Sequence, residues 1–161
     1  MARVTNGKCV EAWLADKAAH SQSMRSVPPR LYSYDRIVAQ RHPQGVLVVA
    51  PEHLSMTTTM HAYRAINAAS VAELPWWRVP IVHKAHDPAN IAYFLEHIAR
   101  CMAQAERARS NLRWLVGART NYIEELGTFC LAFGIDMPTL PPLSDKLIAK
   151  LALCKLRGES V

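Results

Sequence analysis

The chain has 161 residues, of which 50% are hydrophobic and 20% charged, and its formal net charge at pH 7 is +6. This composition excludes an intrinsically disordered chain, and the length is that of one domain with a single hydrophobic core. The sequence has neither an apolar run of the roughly 18 residues that a membrane helix needs nor the apolar segment of a secretion signal. We therefore expect a single domain over residues 1–161, located in the cytoplasm and without a membrane partner.

Positive charge is concentrated in the first half of the chain. Residues 1–84 contain 10 Lys or Arg and 5 Asp or Glu, whereas residues 85–161 contain 9 and 8. A basic protein attracts polyanions, and the attraction weakens as salt is added. The first half is therefore where we expect a nucleic-acid interface.

The first 50 residues predict a helix and a β-hairpin. Apolar residues at helical spacing predict a helix within residues 8–20, and residues 21–29 are expected to be a linker. Residues 30–43 are rich in Tyr, Ile and Val and predict one strand, which a Pro-Gln-Gly turn joins to a second strand beginning at Gly45. The first 29 residues thus form a helix and linker that precede a basic β-ribbon.

The β-ribbon part, residues 30–84, is expected to continue with a second helix and an extended segment. One of Thr57, Thr58 and Thr59 is expected to cap the helix, because threonines precede an apolar helical pattern there. The sequence WWRV, residues 76–79, lies between two prolines. This position favours an edge strand or an extended segment over a central strand.

The helical part, residues 87–157, contains two long apolar stripes. Asp87 followed by Pro88 is typical of a helix start, and Gly134 favours a helix end. Ser110 and Asn111 separate the stripes. They either cap a new helix, which gives an antiparallel hairpin, or lie inside one helix over residues 88–133, which would need a second copy of the chain to cover its stripe. We expect the hairpin, because so long a helix is rare in globular proteins.

A last helix is predicted over residues 144–156, with Ser144 as its cap. Together the elements predict an α+β fold. In this fold a small antiparallel hairpin or sheet of two or three strands packs on a helical hairpin with a C-terminal helix.

The predicted first strand suggests a nucleic-acid site. If residues 30–40 form one strand, side-chain alternation places Arg30, Tyr32, Tyr34 and Arg36 on one face. Arginine binds phosphate and stacks on bases, and tyrosine offers a ring to a base. The alternative is the solvated face of an ordinary hairpin.

A second basic segment lies in the predicted helical hairpin. Residues 100–119 contain five arginines and one acid, Glu106. Such a surface can hold phosphates, although arginines also cover apolar surface on ordinary helices. The arginines are Arg100, Arg107, Arg109, Arg113 and Arg119.

Neither a metal site nor an active site is predicted. His83, His86, His97 and Cys101 have a spacing that resembles zinc ligation, but a helix starting at Pro88 places His97 some 14 Å from the first pair. The sequence contains no catalytic motif, so we expect a non-enzymatic protein without a cofactor. Trp76, Trp77 and Arg78 are of types enriched at protein interfaces, or else they pack against helices.

Part of the chain resembles small uncharacterised proteins of phages and mobile elements. The resemblance rests on a hairpin followed by an S-x-T-T-x-x-H helix start, here Ser55, Thr57, Thr58 and His61, and on a late helix that ends in Phe133 and Gly134. It implies an accessory protein that binds DNA or RNA. The alternative is an inhibitor or adaptor that acts on a host protein or a defence complex.

Overall fold

The structure, a computed structural model, describes residues 3–108 and 110–157, and for His53 the backbone alone. It divides into two compact units, Met1–Asp87 and Pro88–Val161. The first contains a six-stranded sheet and two α-helices, and the second contains three α-helices. The predicted α+β class is confirmed, whereas the single-domain organisation stays a prediction. No helix within the described ranges is both long enough and apolar enough to cross a membrane.

The first unit is a meander of short strands with one crossover. The strands are β1 (Ala19–His20), β2 (Met24–Val27), β3 (Arg30–Ser33), β4 (Arg36–His42), β5 (Gly45–Val49) and β6 (Trp76–Val79), and they lie in this order across the sheet. Neighbours from β1 to β5 are antiparallel, and β6 is parallel to β5. Helix α1 (Asn6–Leu14) precedes the sheet, and α2 (Met56–Val71) connects β5 to β6.

The sheet has more strands than the two or three that were predicted. The predicted single strand over residues 30–40 is wrong, because the chain turns at Tyr34, whose φ is 53°, and Ser33 pairs with Arg36. The predicted linker is also wrong, since it contains β2. The predicted hairpin of β4 and β5 and the edge position of β6 are confirmed.

The two helices of the first unit begin at side-chain caps. Thr5 caps α1 by accepting a hydrogen bond from the Lys8 amide, and the helix ends at Leu14, earlier than predicted. Ser55 caps α2 by accepting from the Thr58 amide at 3.3 Å, so the predicted threonine cap is wrong. In both cases a side-chain oxygen satisfies an amide that has no partner within the helix.

Gly45 allows β5 and β6 to approach closely. Its φ is 151°, and a Cβ at this position would lie 2.4 Å from the Pro75 carbonyl oxygen. That carbonyl accepts a hydrogen bond from the Val46 amide at 2.8 Å, where β6 begins to pair with β5. A residue without a side chain is therefore required at the start of β5.

The second unit is a helical hairpin with a third helix. Helices α3 (Pro88–Arg107) and α4 (Leu112–Phe133) are separate, so the alternative of one continuous helix is wrong. They run antiparallel, because the ring of Phe94 meets that of Phe129 at 5.6 Å while His97 meets Tyr122 at 4.9 Å. Helix α4 ends at Gly134 with φ 62°, as predicted. A homodimer through residues 88–133 stays a prediction.

Helix α5 (Asp145–Leu156) contacts the C-terminal end of α3. Its predicted cap is confirmed, since Ser144 accepts from the Leu147 amide at 3.2 Å, and the same hydroxyl donates to a Glu106 carboxylate oxygen. The Lys150 ammonium donates to the carbonyl oxygens of Ala105, at 2.8 Å, and Ala108. Lys150 therefore places a positive charge at the C-terminal end of α3, where a cation is stabilising.

Candidate nucleic-acid interface

Strand pairing and side-chain alternation place four basic or aromatic side chains on one side of the first unit. Arg25 pairs with Tyr32, and Arg25 also pairs with His20 on β1. Residues directly opposite each other on antiparallel strands point to the same side of the sheet. Arg30 lies two residues before Tyr32 on β3 and therefore points to the same side of the sheet. Leu31 and Ser33 point to the other side and are buried. We call His20, Arg25, Arg30 and Tyr32 the strand surface.

Both arginines of the strand surface are held by uncharged groups. The Arg25 guanidinium lies 4.7 Å from the centre of the Tyr32 ring, a cation–π contact. The Arg30 Nε donates to the Gln40 side-chain oxygen at 3.1 Å. Within the described residues neither guanidinium forms an ion pair with a carboxylate. Their charge is therefore not neutralised, and both guanidinium groups are held in place.

Two of the residues predicted for this site lie elsewhere. Tyr34 is in the turn between β3 and β4, is 57% exposed, and has its ring centre 6.4 Å from that of His61 on α2. Arg36 pairs with Ser33 and so points to the side opposite Tyr32. The structure thus brings together Arg30 and Tyr32, and it adds Arg25, which sequence reasoning had assigned to a linker.

The arginines of the second unit differ in exposure and in pairing. Arg100 is ion-paired with Glu96 at 2.7 Å, and Arg119 is partly buried, with an Nε that lacks a hydrogen-bond partner. Arg107 and Arg113 are exposed and flank the connection between α3 and α4. Arg109 lies outside the described residues.

Sequence reasoning missed an exposed tryptophan beside these arginines. Trp114 follows Arg113 directly and is 69% exposed. It lies outside the apolar stripe of α4 that begins with Leu112 and Leu115. A large apolar residue outside such a stripe is expected to be exposed, and this signal could have identified Trp114 from the sequence. We call Arg107, Arg113 and Trp114 the hairpin end.

Side-chain burial alternates along the WWRV segment, as expected for a strand. Trp77 is buried, whereas Trp76 is partly exposed and donates from Nε1 to the Ser70 hydroxyl at 2.9 Å. The Arg78 guanidinium lies 5.5 Å from the centre of the Tyr63 ring and 5.6 Å from that of the Trp76 ring. Of the predicted interface residues, Trp76 and Arg78 therefore retain an accessible side and Trp77 does not.

A serine and a histidine also meet inside the first unit. The Ser33 hydroxyl lies 2.7 Å from Nδ1 of His61, and the Asn6 amide nitrogen lies 3.1 Å from Nε2 of His61. The Ser21 hydroxyl, 2.6 Å from Oδ1 of Asn6, orients that amide so that it donates to Nε2. Nδ1 then carries the ring proton and donates to Ser33, which is the reverse of what a general base does for a serine nucleophile.

This buried network explains most of the S-x-T-T-x-x-H motif. Ser55 caps α2, and Thr58 accepts from the Ser33 hydroxyl at 3.4 Å. His61 connects β3 to α1 through Ser33 and Asn6. Burial, and secondly the charge of Arg64, hold the pKa of His61 below its ordinary value. The motif residues thus hold α2 on the sheet, while nothing in the structure explains the exposed Thr57.

Three histidines and one cysteine have the spacing that resembles zinc ligation. His83 and His86 precede α3, whereas His97 is a buried residue of α3. Nδ1 of His97 lies 2.9 Å from the Tyr93 carbonyl oxygen. The described part of the chain contains no group of three or more potential metal-ligating side chains. Burial raises the pKa of the Cys101 thiol above its ordinary value, which disfavours the thiolate that zinc binds.

Comparison of the chain with protein-family models, with curated proteins and with solved structures finds no match. The resemblance to phage and mobile-element proteins therefore stays a prediction. The local geometry of the strand surface is the feature that bears most directly on function.

Proposed function

We propose that the protein is a non-enzymatic nucleic-acid-binding protein that acts in the cytoplasm, with the strand surface as its main contact. The observation that carries this proposal is the Arg25 guanidinium stacked on Tyr32 beside Arg30, with neither arginine paired to a carboxylate of the described residues. Arginines in this state bind phosphates, and a guanidinium plane also stacks on a base. The buried thiols of Cys9, Cys101 and Cys130 fit a reducing compartment.

The dimensions of the strand surface favour a single strand over a duplex. Strands β2 and β3 have four residues each, which corresponds to a length of about 13 Å at about 3.3 Å per residue. Aromatic and guanidinium groups on a short sheet contact the faces of unpaired bases, which a duplex keeps stacked inside. The hairpin end of the second unit is a separate candidate contact, in which Arg113 offers a phosphate contact and Trp114 a stacking surface.

The test is binding of labelled single-stranded and duplex DNA and RNA, measured by fluorescence anisotropy across a salt series. We expect single strands to bind more tightly, with an affinity that falls as salt rises. Each neutralised phosphate contributes a slope of about −0.7 to the log–log salt dependence of single-strand binding. The double variant R25Q/R30Q should reduce both the affinity and this slope.

The matched control is R36Q, which removes one positive charge from the side of the sheet opposite Tyr32. If R36Q lowers the affinity as much per charge as R25Q/R30Q does, binding follows net charge and the strand surface is not the site. An absence of binding at low salt to all four nucleic acids would refute the proposed function.

A further inference from the structure

Arg78 is a partly buried cation with unused hydrogen-bonding capacity. Its guanidinium lies 5.5 Å from the centre of the Tyr63 ring and 5.6 Å from that of the Trp76 ring, and its buried Nε has no hydrogen-bond partner among the described residues. It forms no ion pair with any carboxylate in the described ranges. Within these ranges the guanidinium charge therefore has no carboxylate partner, and its terminal N–H groups are the donors that an anion from outside the chain can bind.

A small cleft of about 10 Å³ adjoins this arginine. It lies between α2 and the strands β5 and β6, and Arg78 shares its lining with the Thr59 hydroxyl and with the apolar side chains of Val49, Ala62 and Ile66. A guanidinium group binds a planar two-oxygen acceptor through paired N–H donors. A carboxylate has this shape.

Beside the cleft, α2 presents an apolar stripe to solvent. Met56 is 79% exposed and Met60 is 51% exposed, and Tyr63 follows at helical spacing on the same side. Methionines adapt to the shape of an apolar partner, and an exposed apolar stripe marks an interaction surface. Helix α2 contains no Asp or Glu, and its one charged side chain is the exposed Arg64.

We propose that this surface, Met56, Met60, Tyr63, Arg64 and Arg78, is a docking site for an acidic peptide segment of a partner protein. A carboxylate of the segment binds the Arg78 guanidinium, and a neighbouring apolar side chain lies on Met60 and Tyr63. Charge complementarity selects an anionic partner, since the site holds two cations and no acid. The methionines favour a peptide over a nucleic acid, because a phosphate backbone would need several cations where this surface has apolar side chains.

The experiment uses the full chain with isotope-labelled methionine methyl groups and arginine side chains, observed by NMR. The probes are a short peptide with a Leu-Glu-Phe-Leu centre, the same peptide with Gln in place of Glu, and a Ser-Glu-Ser-Ser peptide. We expect the first peptide to shift the Met60 methyl and Arg78 Nε–H signals, and each of the others to bind about tenfold or more weakly.

Three variants locate the binding. R78Q should abolish the shifts, M60S should weaken binding several-fold while leaving the Arg78 donor in place, and R36Q should change neither. If R78Q does not fold, M60S and the Gln peptide still decide the question. The proposal is overturned if the first peptide causes no shifts at about 1 mM, the weak end of specific binding, or if folded R78Q binds it equally well. It is also overturned if an oligonucleotide, and not the peptide, shifts these signals.

Discussion

The hydroxyl oxygen of Ser33 lies 2.7 Å from Nδ1 of His61, and both residues are buried. The contact joins the last residue of β3 to the middle of α2, which are 28 positions apart in the chain. Asn6 extends it to the first residue of α1. One histidine ring thus connects three elements of the first unit, and its protonation state affects the stability of all three.

The lowered pKa of His61 makes the stability of the first unit depend on pH. Burial and the charge of Arg64 disfavour the charged ring in the folded state, so the unfolded state takes up the proton first as the pH falls. The free energy of unfolding should therefore be level above the ordinary histidine pKa of about 6.5 and decrease below it. Urea unfolding at several pH values measures this. In H61Q the decrease should be smaller, and an unchanged pH profile would exclude His61 as its source.

Replacing Ser33 by alanine should destabilise the protein by about 1–3 kcal/mol, because the buried His61 N–H loses its acceptor. Chemical unfolding at neutral pH gives the difference. The control is T57A, which changes an exposed residue of the same motif and should alter stability by less than about 0.5 kcal/mol. Equal effects of the two substitutions would contradict the assignment of the network.

Lys150 should stabilise the second unit by its contacts with the end of α3. Lys150→Met keeps most of the side chain but removes the donor to the Ala105 and Ala108 carbonyls, and we expect a loss of about 1–2 kcal/mol. Thermal unfolding followed by circular dichroism is the measurement. Lys146 is exposed on the same helix, and K146M should leave the midpoint almost unchanged. A comparable loss in K146M would mean that helix charge, and not the carbonyl contacts, is responsible.

Gly45→Ala should be among the most damaging single substitutions, with a loss of more than about 2 kcal/mol. The new Cβ would meet the Pro75 carbonyl oxygen, and the φ of 151° is unfavourable for alanine. Gly127 is the opposite case, since it lies within α4 with no atom near an added Cβ. G127A should stabilise by about 0.5–1 kcal/mol. Unfolding curves in which the two variants behave alike would contradict the close approach of β5 and β6.

The two tyrosines of the predicted platform should now behave differently. Tyr32 stacks with Arg25 on the strand surface, whereas Tyr34 lies in the turn. Y32A should weaken single-strand binding about tenfold to hundredfold, while Y34A should change it by less than about twofold. Anisotropy titrations of the folded variants test this. Equal losses of affinity in Y32A and Y34A would support the site predicted from the sequence, in which both tyrosines bind the nucleic acid.

The sequence predicted the helical unit well because its signals are local. Pro88, Gly134 and Ser144 mark helix ends within a few residues of the apolar stripes they delimit, so each boundary could be found from neighbouring residues. Two separate helices were expected because one helix over residues 88–133 would be unusually long, and the structure breaks the chain at Asn111, whose φ is 65°.

The sheet could not be predicted to the same extent, because strand pairing joins residues that are distant in sequence. Strands β1 to β3 have two to four residues each, too few for an alternating pattern to be recognised. Tyr34 turns the chain with a positive φ that its residue type does not suggest. The same limit hid Arg25, whose place beside Tyr32 depends on the pairing of β2 with β3.

The ends of the sheet bear on how the chain meets other molecules. At one edge, β1 has two residues, and the His20 carbonyl already accepts a hydrogen bond from the Val4 amide at 2.9 Å. At the other, β6 has four residues and is bracketed by Pro75 and Pro80. Neither edge offers a long row of open backbone groups on which a strand of another chain could extend the sheet. The shortness of both edge strands therefore disfavours edge-to-edge aggregation of the sheet.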